Sequence, residues 1–343
     1  MINNIIKLLI PILSIFTACL FSILVITMTG RDPIMIFGKM FYAVFGSSYG
    51  IGQVVFRTTT LVFAGLAVAI PFKLKLFNIG AEGQLQMGAF AAALMGAILP
   101  ASTFSPVAII LCILVAMVAG ASWALLAGVL KVRFGVNEVI ATIMLNFIAQ
   151  GITGYLLTYH YAIPSTVHTA PINSSSIIPT FGQIIGWFAN SPANLSTLLS
   201  IIIALLCQFL LFHTRFGYEM LATGLQPEAA RYGGINVQMH TLTAMGIGGA
   251  IAGLGASNLV LGYTHYYEEG MTAGIGFTGI AVALLAGAHP LWILFTALFF
   301  GLLEYGGLTI NAYIPKDIFM IIEAVTILLF LTFSAIGKRL QHV

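Results

Sequence analysis

The sequence predicts an all-α fold, a polytopic transmembrane helical bundle of about ten spans with broken helices and an inverted repeat. Three observations carry that expectation. Of 343 residues, 59% are hydrophobic and only 7% are charged. The mean hydropathy is +1.04, and apolar runs of spanning length recur along the whole chain. An ordinary soluble domain carries about 25% charged residues, so these few charges cannot cover a water-facing surface. Crossing a hydrocarbon core about 30 Å thick takes about 20 helical residues. Length here counts spans, and residues 1–343 read as one transmembrane domain.

The apolar segments lie near 5–28, 58–72, 80–99, 107–130, 138–160, 194–213, 240–262, 272–289, 291–311 and 317–337. In the first, the run passes Thr17-Ala18-Cys19 and continues through Leu20-Phe21-Ser22-Ile23-Leu24-Val25, which favours an uncleaved span over a signal peptide. The segments near 58–72 and 272–289 are short or Gly-rich, as broken or re-entrant helices are. Membranes tolerate these only where protein or a water-filled cavity surrounds the exposed backbone, and they point towards a transport path. Gly80-Ala81-Glu82-Gly83 and Gly274-Ile275-Gly276-Phe277-Thr278-Gly279 each open an apolar helix, as two inverted halves would. Glycine's general use in close helix packing is the other explanation.

Loops retained in the cytoplasm carry the excess of Lys and Arg. Starting inside, ten crossings place Lys7, Lys73, Lys75, Lys131, Arg133, Arg215, Arg231, Lys338 and Arg339 inside, against Arg31, Lys39, Arg57 and Lys316 outside, so both termini are expected in the cytoplasm. The Ser/Asn/Pro-rich stretch over 161–193 and the pair Glu268-Glu269 then form external loops. Cys19, Cys112 and Cys207 stand in apolar runs without zinc or redox spacing and are expected to be buried hydrophobes.

Glu82 sits beside a predicted crossing, in Asn78-Ile79-Gly80-Ala81-Glu82-Gly83-Gln84. A carboxylate at the centre of a spanning helix costs about 2.5–3.5 kcal/mol. If Asn78 caps a helix that starts within the membrane, Glu82 lies in its first turn, where unpaired N–H groups and the positive dipole end stabilise an anion. Asn78, Glu82, Gln84 and Gln86 then cluster at one depth as a lining for a small polar solute. The alternative is a Glu82 solvated at the interface near Lys73 and Lys75. Asn146, Gln150, Glu304 and Glu323 each stand alone in an apolar run, where interhelical hydrogen bonding competes with solute contact. Glu138, next to Asn137, is expected to cap the helix opening there.

The loop over 214–240 contains Thr223-Gly224-Leu225-Gln226-Pro227-Glu228-Ala229-Ala230-Arg231-Tyr232-Gly233-Gly234-Ile235. Pro227 suits the first position of a short helix, Glu228 its positive end, Arg231 its last turn, and Gly233 or Gly234 a left-handed cap. Two turns are marginal alone in water. Ala229, Ala230 and Tyr232 suggest docking on a soluble partner, and a helix lying flat on its own bundle is the alternative.

Catalytic machinery is missing from the pattern. Neither Gly38-Lys39 nor Gly337-Lys338 has the upstream Gly or the following hydroxyl of a phosphate-binding loop, so the chain is not its own ATPase. It carries no HExxH or GxSxG, and its histidines are dispersed. No catalytic residue, metal site or cofactor is expected, and a polytopic enzyme acting on lipid lacks its nucleophile and base. The scattered basic residues also exclude nucleic acid as a partner.

Four stretches taken together resemble a known family: Phe77-Asn78-Ile79-Gly80-Ala81-Glu82-Gly83-Gln84, Val136-Asn137-Glu138-Val139-Ile140-Ala141-Thr142-Ile143-Met144-Leu145-Asn146, Pro227 to Ile235, and Gly274 to Leu285. The chain is similar to permeases of bacterial ABC importers for nucleosides and simple sugars, within the branched-chain amino acid and ribose permease family. The resemblance implies an inner-membrane location. It implies as partners one or more ABC ATPase subunits, a second identical or homologous permease subunit, a substrate-binding lipoprotein and the lipid bilayer, with a nucleoside favoured over a simple sugar as the solute. It further implies a coupling helix docking into the ATPase through Gly224, Pro227, Glu228, Ala229, Arg231, Tyr232 and Gly233. The substrate pathway would pass near Asn78, Gly80, Glu82, Gln84, Asn146, Gly276 and Thr278, at the dimer interface or within each subunit. Ala286-Gly287-Ala288-His289-Pro290 departs from the pattern, which has a basic residue there in many relatives. An ion-coupled secondary transporter using Glu82, Glu304 or Glu323 is the alternative from another class.

Overall fold

The computed structural model describes residues 2–186, 188, 190–272, 274–315, 318–322, 324–326, 328, 329 and 332, with the side chains of 2–12, 14 and 15 also outside the description. Lys7, Lys316, Glu323, Lys338 and Arg339, named above, therefore fall wholly or by their side chains outside the described residues. The α-helices are α1 Ile2–Met28, α2 Pro33–Phe45, α3 Ser48–Phe72, α4 Ala81–Ile98, α5 Ser105–Phe134, α6 Glu138–Leu156, α7 Phe181–Ile185, α8 Ser196–His213, α9 Arg215–Leu225, α10 Pro227–Tyr232, α11 Val237–Ala256, α12 Ile275–Leu285 and α13 Pro290–Thr309. Among the described residues no strand forms, only isolated bridges in loops.

Among the described residues six helices are long and apolar enough to cross a membrane, and the bent pair Phe16–Met28 with Pro33–Phe45, turning through 114°, makes a seventh if counted as one span. The expected count of about ten crossings is thus not confirmed among the described residues, and the apolar segment near 317–337 lies largely outside them. The bend has local causes: Gly30 adopts a φ of 74°, and Asp32 accepts a hydrogen bond from Ile34 N while Pro33 opens α2, a start signal that ends one helix and begins the next. The expected break near 58–72 is absent, because this segment is the second half of the continuous helix α3. Its companion expectation holds. α12 has only 11 residues, about 16 Å of helix and half a bilayer.

Burial separates centre from periphery. In α3 and in the span Val237–Thr264, 83% of the apolar window is buried within the chain, against 22% for α5. The outward faces of the peripheral helices carry residues such as Leu114, Val118, Phe147 and Phe209, apolar surface that lipid accepts at no cost. Cys19, expected inside, lies on such an outward face of α1, whereas Cys112 and Cys207 are buried.

Asn137, not Glu138, caps α6, accepting from Val139 N and Ile140 N. Glu138 instead accepts from Lys131 across the turn between α5 and α6, at the end of the bundle that also carries Lys73 and Lys75. At the opposite end, the stretch over 161–193 is stitched to the segment following α11: Thr169 N donates to Tyr267 O (2.9 Å), Ile172 N to His265 O (2.8 Å) and Ile178 N to Leu261 O (2.9 Å). Asn258 in that span donates to Phe56 O (2.8 Å) and Thr60 Oγ1 (2.6 Å) of α3 and accepts from Asn194 Nδ2 (2.9 Å). These buried amides find partners far along the chain and fix α3 against the span after α11.

The tightest seam joins α5 to α11. A Cβ at Gly120 would overlap the Gly249 carbonyl, and one at Gly249 would overlap that of Gly120. Overpacking of a well-packed core costs about 1–3 kcal/mol or more. Gly249→Val is expected to lower the thermal midpoint of the detergent-solubilised protein by an amount matching at least that range. Gly151→Ala, which meets open space, is the control expected to leave the midpoint unchanged.

Candidate functional site

The chain leaves α3 through Pro71, turns at Lys75 with a φ of 59°, and runs extended back into the bundle over residues 76–78 before α4 begins. From the opposite end it enters the bundle again to open α12 at Gly274, whose φ is 88°. The N-termini of α4 and α12 thus meet inside the protein. Gly276 packs on the backbone of Glu82 so closely that any Cβ there would overlap the Glu82 N and Cα. From this junction the two helices diverge: Gly96 of α4 packs against Ile172 of the loop, while the turn after α12 brings His289 to Phe212 at the other end.

Glu82 fastens the junction. Its carboxylate accepts from Gly276 N (2.7 Å) and Gly274 N (3.1 Å), two of the unpaired donors that open α12. Hydrogen bonds to a charged group contribute about 1.5–3 kcal/mol each, enough together to offset the cost of about 2.5–3.5 kcal/mol for a carboxylate at membrane depth. Asn146 of α6 does the same for α4, accepting from Gly83 N (2.9 Å) and donating to Ile79 O (2.9 Å).

The residues singled out in the sequence divide into frame and lining. Asn78 does not cap α4, since Gly80 occupies that position without a side-chain cap. Its amide pairs in both directions with Gln84 (2.9 and 2.8 Å) and donates to Ala67 O (3.1 Å), so Asn78 and Gln84 are buried members of an α3–α4 brace. Gly80 lies against Gln84 and Thr142. Glu82 and Asn146 do line a cavity of about 260 Å³, together with Gln86, Gln150, Thr272 and Phe277. Thr278 lies on the other flank of α12, in a cavity of about 290 Å³ with Arg57, Thr60, Glu304 and Asn311.

Arg57 is the largest departure from the sequence reading. Assigned there to an outer loop, it lies within α3 and pairs with Glu304 of α13 at 3.6 Å. A charge inside a spanning helix is legible only when its partner is known, and this partner is remote in sequence.

The segment following α8 forms a second candidate surface. Thr214 caps α9 by accepting from Gly217 N, and Pro227 opens α10. Of the six residues of α10 only Ala230 is buried, and Tyr232 is 94% exposed. Pro227, Glu228, Ala229, Arg231 and Gly233 are exposed with it. The left-handed cap falls to Gly234, with a φ of 81°, while Gly233 is right-handed at −74°. Gly224 belongs to the foundation instead: a Cβ there would overlap the Lys73 carbonyl at the end of α3. Lys75 Nζ donates to Leu225 O (3.3 Å), and Glu219 of α9 joins Arg215 (2.8 Å) to the buried His240 of α11 (3.0 Å). A helix too short to persist alone is thereby held out from the bundle on α3, α9 and α11.

Residues 50–333 match the model of the family described as branched-chain amino acid transport system / permease component. The chain belongs to this permease family. The permease is 33% identical to the guanosine ABC transporter permease protein NupP of Bacillus subtilis, over 96% of this chain and 94% of that protein. It is 32% identical to a glucose ABC transporter permease protein of Haloferax volcanii over 96% and 88%. It is also 30% identical to the nucleoside ABC transporter permease protein NupB of Lactococcus lactis over 94% and 90%. The chain is a multi-pass membrane subunit of an ABC transporter, and ATP hydrolysis resides in a separate subunit. Membership of this family sets the ion-coupled alternative aside; of the carboxylates it invoked, Glu82 is engaged by main-chain N–H groups and Glu304 faces Arg57, while Glu323 lies outside the described residues and decides nothing.

Two predictions follow for the permease from this geometry. Glu82→Ala leaves the Gly274 and Gly276 N–H groups without an acceptor, and an unmade buried bond costs about 1–3 kcal/mol. Hydrogen exchange at residues 275–280 is expected to speed up strongly in Glu82→Ala and less in Glu82→Gln, which keeps one acceptor oxygen. Separately, the hydrogen bond from Arg215, and then that from His240, hold the Glu219 carboxyl below the usual range. A carboxyl depressed in the folded state stabilises above its unfolded pKa and stops doing so as pH falls through the folded one. Exchange protection over residues 215–235, corrected for intrinsic rate, is expected to survive acidification to about pH 4.3, the ordinary glutamate value, and to fall only below it. Glu219→Gln should abolish that step.

Proposed function

We propose that this permease imports a nucleoside across the bacterial cytoplasmic membrane, with both termini inside, as one of two permease subunits driven by ABC ATPases and supplied by an extracytoplasmic substrate-binding lipoprotein. The observation that carries the reading is α10, a two-turn helix with one buried residue out of six, braced at its root and bare at its surface. Such a helix is the shape of a part that fits a groove in a soluble motor. Its bracing on α3 and α11 offers a rigid route from that groove into the spans.

Transport then proceeds by alternating access. A loaded binding protein settles on the loops over 161–193 and 262–272, nucleotide-driven closure of the ATPases moves α10 with α9, and α3 and α11 carry the displacement to the α4–α12 junction. The pathway passes this junction, framed by Asn78, Gly80, Gln84 and Gly276 and lined by Glu82, Asn146 and Thr278. A nucleoside is preferred because two of the similar permeases are those of a guanosine and a nucleoside transporter. A simple sugar is the second reading, favoured by the glucose permease.

The test is uptake of labelled guanosine or adenosine in cells expressing the complete system, with glucose as the competing solute. Arg231→Glu, which reverses a charge on the exposed face of α10, and a catalytically dead ATPase are each expected to reduce uptake at least tenfold with the permease still inserted. Uptake that survives both changes but collapses with the proton or sodium gradient would sink the proposal.

A further inference from the structure

One side chain of α6 stands where lipid offers it nothing. The span runs over Glu138–Tyr161, about 36 Å of helix at about 1.5 Å per residue, which puts Gln150 about 18 Å from the start and near mid-depth. The Gln150 amide is exposed and makes no hydrogen bond among the described residues. An amide without a partner is costly in hydrocarbon, so this face of α6 meets something polar. Gln150 lines the cavity of about 260 Å³ beside the α4–α12 junction, together with Glu82, Gln86, Asn146 and Thr272.

The free hydrogen-bonding positions of that cavity are mostly acceptors. Glu82 Oε1 accepts from Gly274 N and Oε2 from Gly276 N, and each carboxylate oxygen has a second lone pair. The buried Gln86 donates through Nε2 to Thr153 Oγ1 (2.8 Å) and Tyr267 Oη (3.1 Å). Thr153 gives its own hydroxyl hydrogen to Ala149 O (2.9 Å), so the Gln86 amide is fixed in orientation with its carbonyl oxygen left over. The hydroxyl of the buried Thr272 has no partner among the described residues. No Lys or Arg stands among the described residues that line the cavity.

A ligand for this lining brings several hydrogen-bond donors and no negative charge. A metal cation is a poor match, because two helix-opening N–H groups already offset the Glu82 charge and no group of three His, Cys, Asp or Glu side chains gathers among the described residues. Size narrows the choice further. Pockets for drug-sized ligands span about 300–1,000 Å³, so about 260 Å³ holds one ring and not a whole nucleoside. Phe147 and Phe277, the exposed apolar members of the lining, offer flat faces to whatever the ring carries.

Resting on the reading that the solute path passes this junction, we propose that the cavity binds the sugar ring of an uncharged solute, a ribose or a ring of similar size, and rejects its phosphorylated form. The ring hydroxyls donate to Glu82, to Gln86 Oε1 and to Gln150, and an attached base rests on Phe147 and Phe277. A phosphate would meet a carboxylate and bare acceptor oxygens with no cation beside it, the repulsive element from which selectivity is built. The site thereby selects the part that a nucleoside and a simple sugar have in common.

The test uses the whole transporter, permease subunits with their ATPases, in nanodiscs without binding protein, both nucleotide-free and ATP-bound. Ile143→Cys, at a lining position, is placed in a Cys19→Ser background, and its modification by a small thiol reagent is followed by mass spectrometry. Guanosine and D-ribose are each expected to slow the reaction at least fivefold in one of the two states, and adenine and ribose 5-phosphate less than twofold. Adding Glu82→Gln or Gln150→Leu is expected to bring the slowing by guanosine and ribose below twofold. Gln150 makes no bond within the chain, so its variant stands as a test even if Glu82→Gln loosens α12.

Slowing by neither guanosine nor ribose in either state overturns the site. Adenine acting as strongly as guanosine, or ribose 5-phosphate as strongly as ribose, overturns the sugar-ring assignment. Slowing that survives both substitutions overturns the acceptor role. The transport reading fails separately: a complete system that takes up neither nucleoside nor sugar removes it, while the protection measurement still decides whether the cavity holds a sugar ring.

Discussion

The carboxylate of Glu82 holding the main-chain N–H groups of Gly274 and Gly276 is the contact on which the interior of this permease depends. Without it, a half-length helix would begin inside a bilayer with donors facing nothing, and lipid supplies no substitute. With it, a charge that is costly at that depth and a helix end that is costly at that depth cancel each other. The absence of a side chain at Gly276 is the steric half of the same arrangement, because only hydrogen lets α12 approach the Glu82 backbone. Cavities on both flanks of α12 then exist because a short helix leaves space that a full span would fill.

The long helix α3 connects this interior to both ends of the molecule. Its first turns lie against the loop residues, with Gly52 packed on Ser191, and its final carbonyls receive α9 through Gly224. Between them it accepts Asn78 at Ala67 O and Asn258 at Phe56 O. The segment carrying α9 and α10 is thus seated on a buried helix that also packs at the junction and holds Arg57 of the charged pair.

Much of this architecture was legible in the sequence, and the parts that were not share a physical reason. Hydropathy gave the membrane class, and glycine and proline punctuation gave the start of α12 and the small helix with Pro227 at its first turn. Local rules also named Glu82 and Asn146 as residues needing partners, but they could not say that the partners were main-chain N–H groups of another helix start. The cap assigned to Asn78 failed because a tertiary partner, Gln84, outcompeted the local one. Arg57 was read as a loop residue since single-sequence orientation rules treat a charge as a boundary marker, and only Glu304, on a helix far along the chain, makes it a member of a span. The break expected near 58–72 was inferred from a short apolar run that this same arginine had truncated.

The seam between α5 and α11 has a mechanical meaning beyond its tightness. Gly120 faces Gly249 and Gly253 faces Ala116 backbone to backbone, whereas Leu125 lies over Gly246 and Leu242 and Met245 lie over Gly128, so the seam is bare along one stretch and interlocked by side chains along the next. Rotamer interdigitation is what normally locks packed helices in register and makes their relative motion a jump between discrete states. Here only one stretch of the seam carries such a lock, in Leu125, Leu242 and Met245, while along the bare stretch any tilt drives main-chain atoms together at once. The seam is in that sense asymmetric, keyed along one stretch and bare along the next.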